Sequence, residues 1–101
     1  MLDESNEKWP FEQALDVAAI TSRQVIELGY PVRQVTHYDD DHSWAFLSGT
    51  TENKDDYRLI CMFDILKLDP TLRTIADLLP GWSAWRESID LGWERYPEDQ
   101  A

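Results

Sequence analysis

Two segments rich in β-branched and aromatic residues, Val32 to Tyr38 and Ser43 to Leu47, are separated only by Asp39-Asp40-Asp41-His42. Short polar punctuation between two such runs is the signature of a β-hairpin, so the middle of the chain must build at least part of an antiparallel sheet. The first strand is mixed, with Val32, Gln34, Thr36 and Tyr38 on one face and Arg33, Val35 and His37 on the other. Its partner places Trp44 and Phe46 on one face and Ala45 and Leu47 on the other.

The flanking segments fill out the fold. Val17 to Ile20 is an apolar run read as a strand, although a run this short also fits the end of a weak helix from Phe11. Thr21 or Ser22 offers an N-cap, Val25, Ile26 and Leu28 lie roughly on one side, and Gly29 with Pro31 stops the chain after about two helical turns. Tyr57 to Phe63 is apolar on both faces, as expected of a central strand. Asp69-Pro70 is an N-cap followed by proline at the first helical position, and Leu72, Ile75, Ala76 and Leu79 form one stripe, predicting a helix from Pro70 to about Leu79. Pro80-Gly81 ends it, and Trp82 to Arg86 alternates as a last strand, with Trp82, Ala84 and Arg86 on one side. The expected architecture is a single α+β domain over residues 9–96, with a mostly antiparallel sheet of four to five strands and two or three short helices. Residues 1–8 and 97–101 are charged or polar and are expected to be flexible.

A chain of 101 residues with 43% apolar content and five tryptophans can fill one core without disulfide or metal staples. Its net charge of −11 disfavours nucleic acid and anionic membranes and favours a basic protein partner. No apolar stretch approaches the roughly 20 residues of a membrane span, and the acidic N-terminus does not read as a leader. The single Cys61 fits a buried site in a reducing compartment, so a cytoplasmic location is expected.

Catalytic patterns are weak throughout. Cys61 lies in an apolar run with only His37 and His42 available as bases, and a reactive thiolate needs a more electropositive setting. Gly81-Trp82-Ser83-Ala84-Trp85 lacks the closing glycine of a nucleophile elbow and follows a helix instead of a strand. His37-Tyr38-Asp39-Asp40-Asp41-His42 could converge on a divalent cation, but its spacing matches no standard calcium loop, and an acidic turn needs no metal to explain it. The chain is therefore expected to be no enzyme, with neither cofactor nor resident metal.

The binding residues expected are the six acids between Asp39 and Asp56, namely Asp39, Asp40, Asp41, Glu52, Asp55 and Asp56, which face Lys54 alone. If both loops share one end or edge of the sheet they form a patch that steers a basic surface. Trp44 and Trp82 are assigned to the core, while Trp85, Trp93 and Trp9 are expected to reach the surface, with Trp85 and Trp93 as candidate interface anchors.

Ala19-Ile20-Thr21-Ser22 before a helix ending at Gly29, the strand Val32 to Tyr38, an acidic turn, Trp44-Ala45-Phe46-Leu47-Ser48-Gly49, Leu59 to Met62, Leu68-Asp69-Pro70 and Gly81-Trp82-Ser83-Ala84-Trp85-Arg86-Glu87 together carry a resemblance over about residues 18–95. In this order they resemble a small bacterial domain-of-unknown-function family that is also grouped with the immunity proteins of polymorphic toxins. The resemblance implies a protein that binds and neutralises a toxin and has no catalytic residues. The alternative from a different class is a structural or regulatory protein acting as a homodimer through its Trp-rich C-terminal segment; a metal-dependent enzyme using the His37 to His42 loop is the third reading.

Overall fold

The computed structural model of the chain describes residues 9–11, 13–50 and 53–98. Within them the α+β expectation holds, but the sheet has six strands where four to five were expected. The elements run β1 (Ala18–Ser22), α1 (Arg23–Ile26), β2 (Gln34–His37), β3 (Trp44–Leu47), β4 (Tyr57–Cys61), α2 (Met62–Leu68), β5 (Trp82–Trp85) and β6 (Glu94–Pro97). Two 3-10 segments, Lys54–Asp56 and Pro70–Ile75, complete the set. The strand order is β4-β1-β3-β2-β5-β6, with β1 and β3 parallel and every other pair antiparallel.

The hairpin of β2 and β3 forms in the expected register, pairing Gln34 with Leu47 and His37 with Trp44. Ser22 stands at the N-cap of α1, and Gly29 at φ +77° lets the Tyr30 N–H turn back to Gln24 O at 2.9 Å, closing the helix end as glycine does. The helix proper is a single turn of four residues, shorter than expected.

Tyr57 to Phe63 departs from its sequence reading. The strand stops at Cys61, Met62 and Phe63 begin α2, and β4 lies at the edge of the sheet instead of its centre. An apolar run of this length does not separate a buried strand from a strand that passes into a helix. Here Met62, Ile65 and Leu66 are buried from the helix, while Leu59 is 74% exposed. Cys61, expected to be buried, is partly exposed.

Pro70 begins a 3-10 segment, not an α-helix reaching Leu79. The Asp69 carboxylate accepts from Thr71 N at 3.1 Å, the cap that Asp-Pro foretells. Leu72, Ile75 and Leu78 are the buried positions, and their spacing of three is that of a 3-10 turn, whereas Leu79 lies exposed. β6 was not expected, because Glu94-Arg95-Tyr96-Pro97 has no apolar alternation; it is a polar edge strand reaching Pro97, inside the segment expected to be flexible. The remainder of the two terminal segments, 1–8 and 99–101, lies outside the described residues.

One face of the sheet carries the core. Ala19, Val35, Trp44, Phe46 and Ala84 meet Val25, Met62, Ile65, Leu72 and Ile75 from the helical elements, together with Leu78 and Phe11. On the other face a single register row runs Leu59, Ile20, Ala45, Thr36, Ser83 and Tyr96 from edge to edge. No helical element of the described residues contributes to that row.

Arg86, which alternates onto the core side with Ala84, is 2% exposed and fully engaged. Its Nε donates to Val32 O at 3.0 Å, Nη1 to Thr71 Oγ1 at 3.0 Å and Nη2 to Asp69 Oδ2 at 2.9 Å. The Trp93 ring covers the guanidinium at 4.1 Å, a cation–π contact. One buried charge thus ties the end of β5 to the approach to β2 and to the cap of the 3-10 segment. Burial pulls the Arg86 guanidinium below its ordinary value, and Asp69 opposes that pull.

Candidate functional site

The hairpin loop and the last strand close around a cleft of about 310 Å³, lined by Thr36, His37, Tyr38, Asp39, Asp40, Gly81 and Glu98. β2 supplies Thr36 and His37, and its ladder continues to Tyr38, whose N–H donates to Ser43 O at 2.8 Å. Gly81 enters β5 with φ +85°, gives its N–H to His37 O at 2.7 Å and takes Glu98 N–H on its carbonyl at 2.7 Å. A Cβ on Gly81 would stand 3.7 Å from Asp39 Cβ. This backbone lattice brings Glu98 beside Asp39 and Asp40.

Hydrogen bonding continues along the cleft. Ser83 Oγ donates to Glu98 Oε2 at 2.6 Å, and since its one proton is used there, Thr36 Oγ1 is the donor in the 2.8 Å Thr36–Ser83 contact. Ser83 is fully buried in this chain and is an ordinary strand residue. Among the described residues three acidic residues line the cleft, and neither lysine nor arginine does. The electrostatics register on Tyr38, whose phenol is pushed above its ordinary value of 10.0 first by burial, then by Tyr57 and by the charges of Glu98, Asp40 and Asp41.

That shift is testable. A raised acid binds its proton more tightly in the folded state, so its contribution to stability is present below the unfolded value and lost as pH rises through the folded one. Ultraviolet titration is expected to show one of the four tyrosines ionising late. Tyr38→Phe should remove that late step and flatten the alkaline fall in stability; a late step surviving in Tyr38→Phe would place the shift elsewhere.

The expected binding residues are divided by the fold. Asp39 and Asp40 line the cleft. Asp41 instead caps the turn, accepting Ser43 N–H at 3.0 Å and Ser43 Oγ–H at 2.7 Å, and these bonds hold its carboxyl below the ordinary range. Asp55 and Asp56 precede β4, whose first residue pairs with the last of β1, so they sit at the opposite end of the sheet from the hairpin loop. Asp56 takes Gln24 Nε2–H at 2.9 Å, and Asp55 O takes Arg58 Nη1–H at 2.9 Å. Glu52 lies outside the described residues.

The tryptophan pair is split as well. Trp85 lies on the side of the sheet away from the core cluster, beneath Arg33 at 5.2 Å and so close to Gly49 that an added Cβ would sit 2.8 Å from its ring. Trp93 packs towards the core over Arg86. Trp44 is buried as expected, whereas Trp82 and Trp9 are partly buried against the core.

The nucleophile and metal candidates occupy structural places. His37 Nδ1 is 2.7 Å from Leu78 O, which can only accept, so Nδ1 carries the proton; the ring stacks on Trp44 at 4.0 Å and Nε2 is buried without a partner among the described residues. His42 adopts φ 60° in the turn, and its carbonyl takes Gln13 Nε2–H at 2.6 Å. Cys61 Sγ donates to Asp64 Oδ2 at 3.1 Å, a carboxylate and not an imidazole. No three His, Cys, Asp or Glu residues among those described are grouped to hold a metal ion.

Tyr38, Thr36 and Glu98 were missed as site residues. The alternation of Thr36 and Tyr38 along the first hairpin strand gave a signal for two of them, but Glu98 joins only through the pairing of β5 with β6. In comparisons with family models, curated proteins and solved structures, none matches this chain. No helix among the described residues is long and apolar enough to cross a membrane.

Proposed function

We propose that this chain is a non-enzymatic binding protein that takes a basic protein, seating one of its lysine or arginine side chains in the cleft between Tyr38, Asp39, Asp40 and Glu98. The observation that carries the reading is the cleft itself: three acidic residues and a tyrosine line one opening, with no lysine or arginine among its described lining residues. A guanidinium or ammonium there would meet charge-assisted hydrogen bonds and an aromatic face together. The net charge of −11 adds long-range attraction for such a partner. In the toxin-immunity setting implied by the family resemblance, the partner would be a basic toxin domain.

The test compares two neutralised sets of equal charge. Asp39→Asn, Asp40→Asn and Glu98→Gln together are set against Asp55→Asn, Asp56→Asn and Asp90→Asn, and both are titrated calorimetrically with an arginine-rich peptide. The cleft set is expected to weaken binding by about tenfold or more, since each charge-assisted hydrogen bond is worth roughly 1.5–3 kcal/mol, while the distant set changes it little. Equal weakening by both sets would mean that only net charge attracts the peptide and would remove the cleft reading.

A further inference from the structure

The two edges of the sheet are finished differently. Beside β4, Met62 N–H donates to Val17 O at 2.9 Å, which makes Val17 and Met62 a bonded pair. By the alternation of antiparallel ladders, Ile60 and Arg58 then turn their backbone groups towards β1, and Tyr57, Leu59 and Cys61 turn theirs outward. Beside β6, the Glu98 N–H bond to Gly81 O sets the same alternation and turns Arg95 and Pro97 outward. Proline has no N–H, so that edge is blunted where a docking strand would need a donor.

On β4 the first residue and the last carbonyl are engaged, while the centre and the Cys61 N–H stay open. Tyr57 N–H returns to Lys54 O, and Arg58 Nη1 caps Tyr57 O at 2.9 Å. Cys61 is the N-cap residue of α2, which engages its carbonyl. Leu59 keeps an outward N–H and an outward C=O with no partner among the described residues, and its side chain, 74% exposed, is the barest large apolar group described.

We propose that β4 is a dimerisation edge, on which a second copy of this chain lays its own β4 antiparallel about a two-fold axis at Leu59. One residue with both backbone groups outward is self-complementary about such an axis: Leu59 N–H donates to the partner's Leu59 O, and the reciprocal bond forms by symmetry. The two leucine side chains cover each other on the face of the joined sheet away from the core. Tyr57 stands across from the partner's Cys61.

Charge selects a second copy over an acidic stranger or a random strand. In a chain with twenty acids, β4 holds none and carries Arg58, which pairs with Glu27 at 3.4 Å, whereas the other edge strand, β6, carries Glu94. The N-terminal end of β4 carries Lys54, Asp55 and Asp56 and its C-terminal end carries Asp64 and Lys67. Antiparallel pairing brings the Lys54 end to the partner's Asp64 end, and Lys67 to the partner's Asp55 end. The dimer does not use the Trp-rich C-terminal segment and leaves the acidic cleft free, so it stands apart from the cleft reading.

Sedimentation equilibrium of the full chain up to millimolar concentration tests this, with Leu59→Lys as the disrupting variant. The wild type is expected to dimerise and Leu59→Lys, which sets two ammonium groups face to face, to weaken the dimer by at least about tenfold with an unchanged circular dichroism spectrum. In a Cys61→Ser background, Leu59→Cys should oxidise to a disulfide-linked dimer, since two-fold-paired residues lie within bridging distance, while Tyr96→Cys on the opposite edge should not. A chain monomeric throughout, a dimer indifferent to Leu59→Lys, or equal cross-linking at Tyr96→Cys would each overturn the proposal.

Discussion

Asp69→Ala is expected to destabilise the protein by about 3–5 kcal/mol, the cost of leaving a buried charge without its counter-ion. Arg86 is the charge left behind. Its side chain is 1% exposed, and Asp69 Oδ2 at 2.9 Å is its only anionic partner among the ion pairs described. The same substitution removes the acceptor for Thr71 N–H, so the cap of the 3-10 segment goes with the ion pair. Asp69→Asn separates the two effects, because an asparagine oxygen can still cap while the charge is lost. Replacing both members, as Arg86→Met with Asp69→Asn, should cost less than Asp69→Ala alone, since no charge is then stranded. Urea unfolding of the three variants checks the order. A loss below about 1 kcal/mol in Asp69→Ala would show that the pair contributes no more than an ordinary surface contact.

Trp44→Ala is expected to cost a similar amount, about 3–5 kcal/mol, through lost burial and the cavity left behind. Trp44 is 1% exposed and stands at the middle of an aromatic column, with His37 stacked at 4.0 Å, Phe46 parallel at 5.7 Å and Phe11 edge-on at 5.0 Å. Its Nε1–H also donates to Gln13 Oε1 at 2.9 Å. Removing the indole leaves the buried His37 ring without its stacking surface and Gln13 without one of its partners. Trp85→Ala on the face away from the core cluster should cost clearly less. Thermal unfolding of the two variants decides the matter, and equal losses would mean that the core does not centre on Trp44.

Some of this was legible in the residues because it is local. The hairpin turn, the glycine after α1 and the Asp69-Pro70 cap each depend on a few neighbours, and each formed where its chemistry required. The segment after Pro70 is ambiguous in period: Leu72, Ile75, Ala76 and Leu79 satisfy a helical stripe, while Leu72, Ile75 and Leu78 satisfy a repeat of three, and only packing selects the second. Arg86 shared its alternation with the buried Ala84, yet a lone arginine reads as surface until Asp69 is known to lie beside it. The acids clustered along the chain, but the five among the described residues do not cluster in space, since β4 runs antiparallel to β1 and carries Asp55 and Asp56 to the far end. No local pattern relates Glu98 to Asp39.

The dependence of the cleft on β6 has a consequence for biosynthesis. The hairpin that bears Asp39 and Asp40 leaves the ribosome long before Glu94 to Glu98, and it can close its own turn with Tyr38 and Ser43 alone. The third carboxylate and the wall around Gly81 are added only when the final strand docks on β5. A nascent chain therefore carries the turn without the pocket, which is complete only after residues 94–98 have been made.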